Sequence, residues 1–181
     1  MIPTRTQCLL LFDRFNLPSQ KRIHVEEVTR LALFMADKLV AQGIEVNRPL
    51  LEASALLHDI DKNIPKKEGE RHPETGVRVL RELGYTEVAA VVARHSLYHI
   101  LNPKTAPQSW EEKLLYLADK MTKYEVIGIK HRFALWFKEG LPPEAEIGLT
   151  ASLPLVEALE QEVYDAGKFS LNDISEFAKT H

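Results

Sequence analysis

Short apolar stripes at helical spacing, separated by brief polar breaks, run through the whole chain. In the stretch 20–43, Val28, Leu31, Ala32, Met35 and Leu39 recur at steps of three and four, and Gly43 supplies a stop. The stretch before it, TRTQCLLLFDRF, predicts a first short helix closed by Pro18, with Ser19 able to cap the second. RPLLEASALLHDIDK predicts a third, with Pro49 in its first turn and Pro65 beyond its end. HPETGVRVLRELG predicts a fourth between Pro73 and Gly84, and TEVAAVVARHSLYHI a fifth. From Ser109, whose spacing to Glu112 is that of a capping box, the pattern runs to Gly140 as one bent helix or two. The segment after Pro142 predicts one helix or two, split near Pro154, and SLNDISEFAKTH a last short one. No strand-like alternation and no repeat interrupts this reading. The polar loops 62–71 and 100–109 are of the kind that flank sites. The expected architecture is all-α: a core over 1–125 and a helical C-terminal extension over 126–181 packed on it.

Composition narrows the class. With 181 residues, 45% hydrophobic and 27% charged, the chain is long enough for a sizeable core. A net charge of −3 argues against a nucleic-acid polymer as partner, but leaves room for a small phosphorylated ligand. The single cysteine, Cys8, sits in an apolar run and reads as a buried, unreactive thiol. No apolar run reaches the ~20 residues that span a bilayer, and CLLLF is too short for a signal peptide. The expectation is a cytoplasmic protein without a membrane partner.

The candidate chemistry lies at helix ends. His24 is one turn before Val28, on the inward face. His58 ends the third stripe, with Asp59 behind it. His72 precedes Pro73 at the start of the fourth helix. His95 continues the Val88–Val91–Val92 face, His99 lies one turn further, and Asp119 follows Leu115 by four. Each alone has an ordinary explanation as a cap or a hydrogen-bonded core group. Together they form a desolvated cluster that costs several kcal/mol unless a cation compensates it. Nitrogen and oxygen donors without thiolate suit Fe, Mn, Co, Ni or Zn with open positions, not a closed structural zinc site.

These residues carry a resemblance. His24, the ALLHD stretch with His58 and Asp59, and LYLADK with Asp119 resemble the HD-domain superfamily of metal-dependent phosphohydrolases, from His24 to Asp119. HDIDK is similar to the HDIGK form of one subgroup, with Asp61 where glycine is usual. HPETGVRVL and ARHSLYHI look like that subgroup's two intermediate histidine motifs. The resemblance implies that His24, His58, Asp59 and Asp119 hold one tight divalent transition metal, with a second, weaker site open. A water deprotonated there would attack phosphorus, and Asp59 would also orient it. Lys62 is the candidate for stabilising phosphate charge. His72 and His95, with His99 as a further candidate, would bind substrate phosphate or complete a second metal site. Arg22 and Arg94 are weaker phosphate candidates, and His131 and His181 read as structural or solvated. Trp110, Trp136 and Phe137 read as packing residues. The expected enzyme cleaves a phosphate ester of a nucleotide or other small phosphorylated metabolite. Two alternatives stand beside it: a di-iron oxygenase of the same superfamily, and an inactive module that binds a nucleotide or a partner.

Overall fold

A computed structural model describes residues 1–180. Nine α-helices lie in this range: α1 (Arg5–Arg14), α2 (Ser19–Ala41), α3 (Arg48–Leu57), α4 (Glu74–Glu82), α5 (Thr86–Val92), α6 (Trp110–Met121), α7 (Ile129–Lys138), α8 (Pro143–Gly167) and α9 (Leu171–Lys179). Two 3₁₀ turns, Ile60–Asn63 and Leu97–Leu101, follow α3 and α5. No strand forms among the described residues, so the fold is all-α as the periodicity implies. His181 falls outside the described residues.

Local signals set several helix starts, though α2 begins after Pro18 without the side-chain cap expected of Ser19. Thr4 and Ser109 each close a capping box, with Gln7 and Glu112, and Asn47 accepts from the Leu50 amide. The α2 stripe is wholly buried at Val28, Leu31, Ala32, Met35 and Leu39. On one side it joins Leu114, Leu115, Leu117 and Met121 of α6, and Leu149, Val156 and Val163 of α8. A second apolar cluster joins Cys8 and Phe12 of α1, Leu56 and Leu57 of α3, Leu80 of α4 and Val88 and Val92 of α5. Cys8 has no exposure, and burial pushes its thiol up to about 12, so it is inert.

The structure settles two readings left open, at Ser109 and at Pro154, and departs from three others, at the ends of α3 and α5 and at Phe137. The pattern from Ser109 is two helices, because the Met121 carbonyl accepts from both Ile127 and Gly128 and turns the chain. Gly128 takes φ +78°, a conformation costly for residues with a side chain, before α7 begins. By contrast, α8 passes through Pro154 unbroken: Leu149 and Ser152 before it, and Val156, Leu159 and Val163 after it, are all buried on one packed face. The periodic run of α3 stops at Leu57 instead of reaching Lys62, and that of α5 stops at Val92. Phe137 is 40% exposed and does not pack helices together, whereas Phe133, one turn earlier, is buried. His131 is exposed, as read. No described helix is long and apolar enough to cross a membrane.

The N-terminal end of α2 and the C-terminal ends of α3, α5 and α6 come together. Three helix C-termini bring orphan carbonyls and partial negative charge to one place, which favours cations there.

Candidate metal centre

Helix ends fix the ring orientation of the histidines. His58 follows α3 directly, and its Nδ1–H donates to the Ala55 carbonyl at 2.8 Å. His95 follows α5 in the same way and donates to the Val92 carbonyl at 2.6 Å. His24 donates from Nδ1 to the Lys123 carbonyl at 2.7 Å, just after α6. His72 donates from Nδ1 to Asp61, 2.9 Å from Oδ2. Carbonyls and carboxylates only accept, so each Nδ1 carries the proton and each neutral ring presents a lone pair at Nε2.

Those lone pairs point at one another. The Nε2 atoms of His24 and His58 are 3.3 Å apart, and those of His72 and His95 are 3.0 Å apart. His24 Nε2 lies 3.1 Å from Asp119 Oδ1, His58 Nε2 3.6 Å from the same oxygen, and His72 Nε2 3.6 Å from Asp59 Oδ1. Acceptor facing acceptor is unfavourable unless a proton or a metal ion stands between. One donor atom each from His24, His58 and Asp59 lies within 4.8 Å of the others, and so for His58, His95 and Asp119, and for Asp59, His72 and His95. The nitrogen and oxygen donors fit a divalent transition metal, and the three overlapping groups leave room for more than one position.

Seven of the sequence candidates therefore meet: His24, His58, Asp59, Lys62, His72, His95 and Asp119. His99 is in none of these groups. The chain re-curls after Val92, and His99 lines a neighbouring groove with Pro73, Arg78 and Arg81 instead of continuing the α5 face. Arg22 is engaged by Asp13 and the Leu17 carbonyl, and Arg94 by Glu112 and the carbonyls of Lys104 and Ala106, so both act as structural ties.

Three charged residues at the site were given no role in the sequence reading, which noted Asp61 only as a departure from the usual glycine. Lys21 of α2 places Nζ 2.9 Å from Asp59 Oδ2, opposite Lys62, which is 3.1 Å from Oδ1. Lys120 is buried, pairs with Asp119 and donates to the His95 carbonyl at 2.8 Å. Asp61 is buried against His72. A lysine next to an aspartate at the end of an apolar stripe, as in LADK, was the only available signal for Lys120; nothing local marks Lys21.

Burial raises the Asp59 carboxyl, but His58, Lys62 and Lys21 outweigh it and hold the group well below the usual carboxylate range. Burial likewise raises Asp119, and the adjacent Lys120 ammonium is foremost in bringing the group well below that range. Burial, then the neighbouring His58 and His72, keep His95 well below its ordinary 6.5. The signs agree. Below 6.5 the unfolded chain takes a proton at His95 that the folded chain refuses. The stability that the two carboxylates contribute is present above their ordinary 3.8 and is lost as pH falls from there towards their folded values. The urea midpoint of metal-free protein should therefore fall from about pH 7 to about pH 5, and fall further below about pH 4. A midpoint that rises in acid would contradict this electrostatic picture.

The family described as HD domain matches residues 22–124, more than half of the chain. A tRNA (cytidine(56)-2′-O)-methyltransferase of Picrophilus torridus is 28% identical over 141 residues, covering 71% of this chain and 39% of that protein. An uncharacterised protein of Methanocaldococcus jannaschii is 24% identical over 160 residues, covering 88% of this chain and 76% of its own length. A dihydroneopterin 2′,3′-cyclic phosphate phosphodiesterase of the same organism is 36% identical over 111 residues, covering 54% of this chain and 43% of the enzyme. The chain thus spans less than half of the two relatives that carry a named activity. No solved structure matches it.

Proposed function

The chain belongs to the HD-domain family, and from that premise we propose that it is a metal-dependent phosphohydrolase acting on a small phosphorylated metabolite. The observation that carries the reading is the convergence of four imidazole lone pairs on Asp59 and Asp119, each ring held by a hydrogen bond at its other nitrogen. In this reading His24, His58, Asp59 and Asp119 hold the ion, and His72 and His95 hold a second ion or the substrate phosphate. The core extends over 1–125, with the helices from 126 onward packed on it, α8 against α2 and α6, and α9 through Phe177 stacked on Phe34 of α2.

When bound, a divalent ion held by His24, His58, Asp59 and Asp119 would supply Lewis acidity, which lowers the pKa of a water and withdraws charge from a phosphoryl oxygen. The chain's own residues do the rest. Asp59, kept anionic, accepts a hydrogen bond from the attacking water and so orients it. Lys21 and Lys62, with side chains 39% and 28% exposed, stand at the open side of the site where phosphoryl oxygens arrive. Their ammonium groups meet developing negative charge without moving far from Asp59. His58 and His95 close the inner side and exclude water. The phosphodiesterase relative supports a 2′,3′-cyclic phosphate as the first substrate to try, with nucleotides next.

The test is a screen of metal-free protein reloaded with Mn²⁺, Co²⁺ or Zn²⁺ against nucleoside 2′,3′-cyclic phosphates, nucleoside monophosphates and generic phosphate esters. Metal-dependent phosphate release that chelation abolishes is the expected result. Fully loaded protein inert towards every phosphoester would overturn the proposal. Within it, Lys62→Ala should retain metal and lose about 10- to 100-fold in kcat/KM, about 1–3 kcal/mol of transition-state stabilisation. A parallel loss of metal, read by mass spectrometry, would make Lys62 an organiser of the site instead.

A further inference from the structure

We infer that Asp61 is a positioning residue that sets the tautomer of His72, and that this chain thereby makes His72 a lone-pair donor towards the site. The glycine usual at this place in the resembling subgroup has no side chain to do this. Asp61 is 4% exposed, and both its oxygens lie close to His72 Nδ1, at 2.9 and 3.1 Å. α4 lies beside the pair: a Cβ added at Gly76 would sit in van der Waals contact with the Asp61 Cβ, at 3.5 Å. A carboxylate accepts only, so Nδ1 keeps the proton and Nε2 turns its lone pair to His95 Nε2, 3.0 Å away, and to Asp59.

The opposite tautomer is close at hand. Lys62 Nζ stands 3.2 Å from the same Nδ1. An ammonium only donates, so it cannot hydrogen-bond to a protonated Nδ1, and in the presence of Asp61 it donates to Asp59 instead. Without Asp61, Lys62 is the remaining partner of Nδ1. It would then draw the Nδ1 lone pair, move the proton to Nε2 and aim an N–H at the site in place of a lone pair. His58 and His95 face no such choice, because backbone carbonyls hold their Nδ1 protons. Orienting partners of this kind alter metal affinity by about 10- to 100-fold in general.

The inference rests on the metal-site reading for its consequence but not for its test. Imidazole ¹⁵N shifts of metal-free protein at alkaline pH report each tautomer. His72 should be Nδ1-protonated in the native chain and Nε2-protonated in Asp61→Gly, with His58 and His95 unchanged. Asp61→Asn, whose amide oxygen also accepts, should restore the native tautomer. An Nε2-protonated His72 in the native chain would overturn the inference without any variant, as would an unchanged tautomer in Asp61→Gly. Titration with Mn²⁺ follows: Asp61→Gly should lose about 10- to 100-fold in affinity at one ion, with partial recovery in Asp61→Asn. Equal Mn²⁺ affinity despite an altered tautomer would overturn the positioning role. Absence of Mn²⁺ binding by the native chain at any concentration would instead strike the proposed function, with the tautomer result standing.

Discussion

His58→Ala should strip the protein of its metal and lower kcat/KM by about 10³-fold or more, at least about 4 kcal/mol, while the helical content stays close to native. His58 belongs to two of the three converging groups, as Asp59 and His95 also do, sharing one with His24 and Asp59 and another with His95 and Asp119. It has no exposure, so no solvent molecule replaces its Nε2 without a cavity. The same change removes the hydrogen bond to the Ala55 carbonyl at the end of α3, which should cost about 1 kcal/mol in fold stability. That is too little to unfold the chain and too little to explain the loss of rate. Metal content by mass spectrometry and circular dichroism separate the two effects. Full occupancy with retained turnover would end the assignment of His58 as a ligand.

Lys120→Met should destabilise the metal-free protein by about 3–5 kcal/mol, the largest stability effect expected of any single change at the site. Methionine fills most of the space of the lysine stem but cannot pair with Asp119 or reach the His95 carbonyl. Asp119 would be left as a buried carboxylate whose strongest lowering influence is gone. The bond from Nζ to the His95 carbonyl also ties the segment after α5 to the end of α6, across 25 residues of sequence. Added divalent ion should recover part of the loss, because a cation beside Asp119 replaces the missing charge and binds only the folded chain. Urea denaturation with and without Mn²⁺ measures both quantities, and the exposed Lys66→Met serves as a control expected near zero. A loss below about 1 kcal/mol would show that Lys120 contributes no net compensation to the cluster.

The two experiments address different levels of the same design. On the proposed function, His58 acts at the ion, through a lone pair directed by a helix-end carbonyl. Lys120 acts on the charge balance that keeps the site folded before any ion arrives. Three carboxylates, Asp59, Asp61 and Asp119, stand among three ammonium groups, Lys21, Lys62 and Lys120. With neutral imidazoles this local set sums to zero, so the pocket holds its charges in the metal-free state without a net surplus of either sign.

What the chain determined by itself is what a few neighbouring residues can enforce. Periods of three and four built the buried stripe of α2, capping boxes started α1 and α6, and His58 and Asp119 stood at the ends of apolar runs. Their residue types are those of a candidate nitrogen and oxygen cation site. What tertiary structure alone decided involves partners far apart in the chain. His24 meets Asp119 across 95 residues and Lys21 meets Asp59 across 38, and no local pattern records such pairs. The same packing carried α8 through Pro154, where local chemistry calls for a break, because buried side chains on both sides outweigh one missing backbone hydrogen bond. It also turned the chain after Val92, taking His99 out of the α5 register while leaving His95 inside the site. A hydrogen bond within one turn is specified by the residues that make it. A hydrogen bond between helix ends exists only once the faces of those helices have packed, and that is the step at which a list of histidines and aspartates becomes a site.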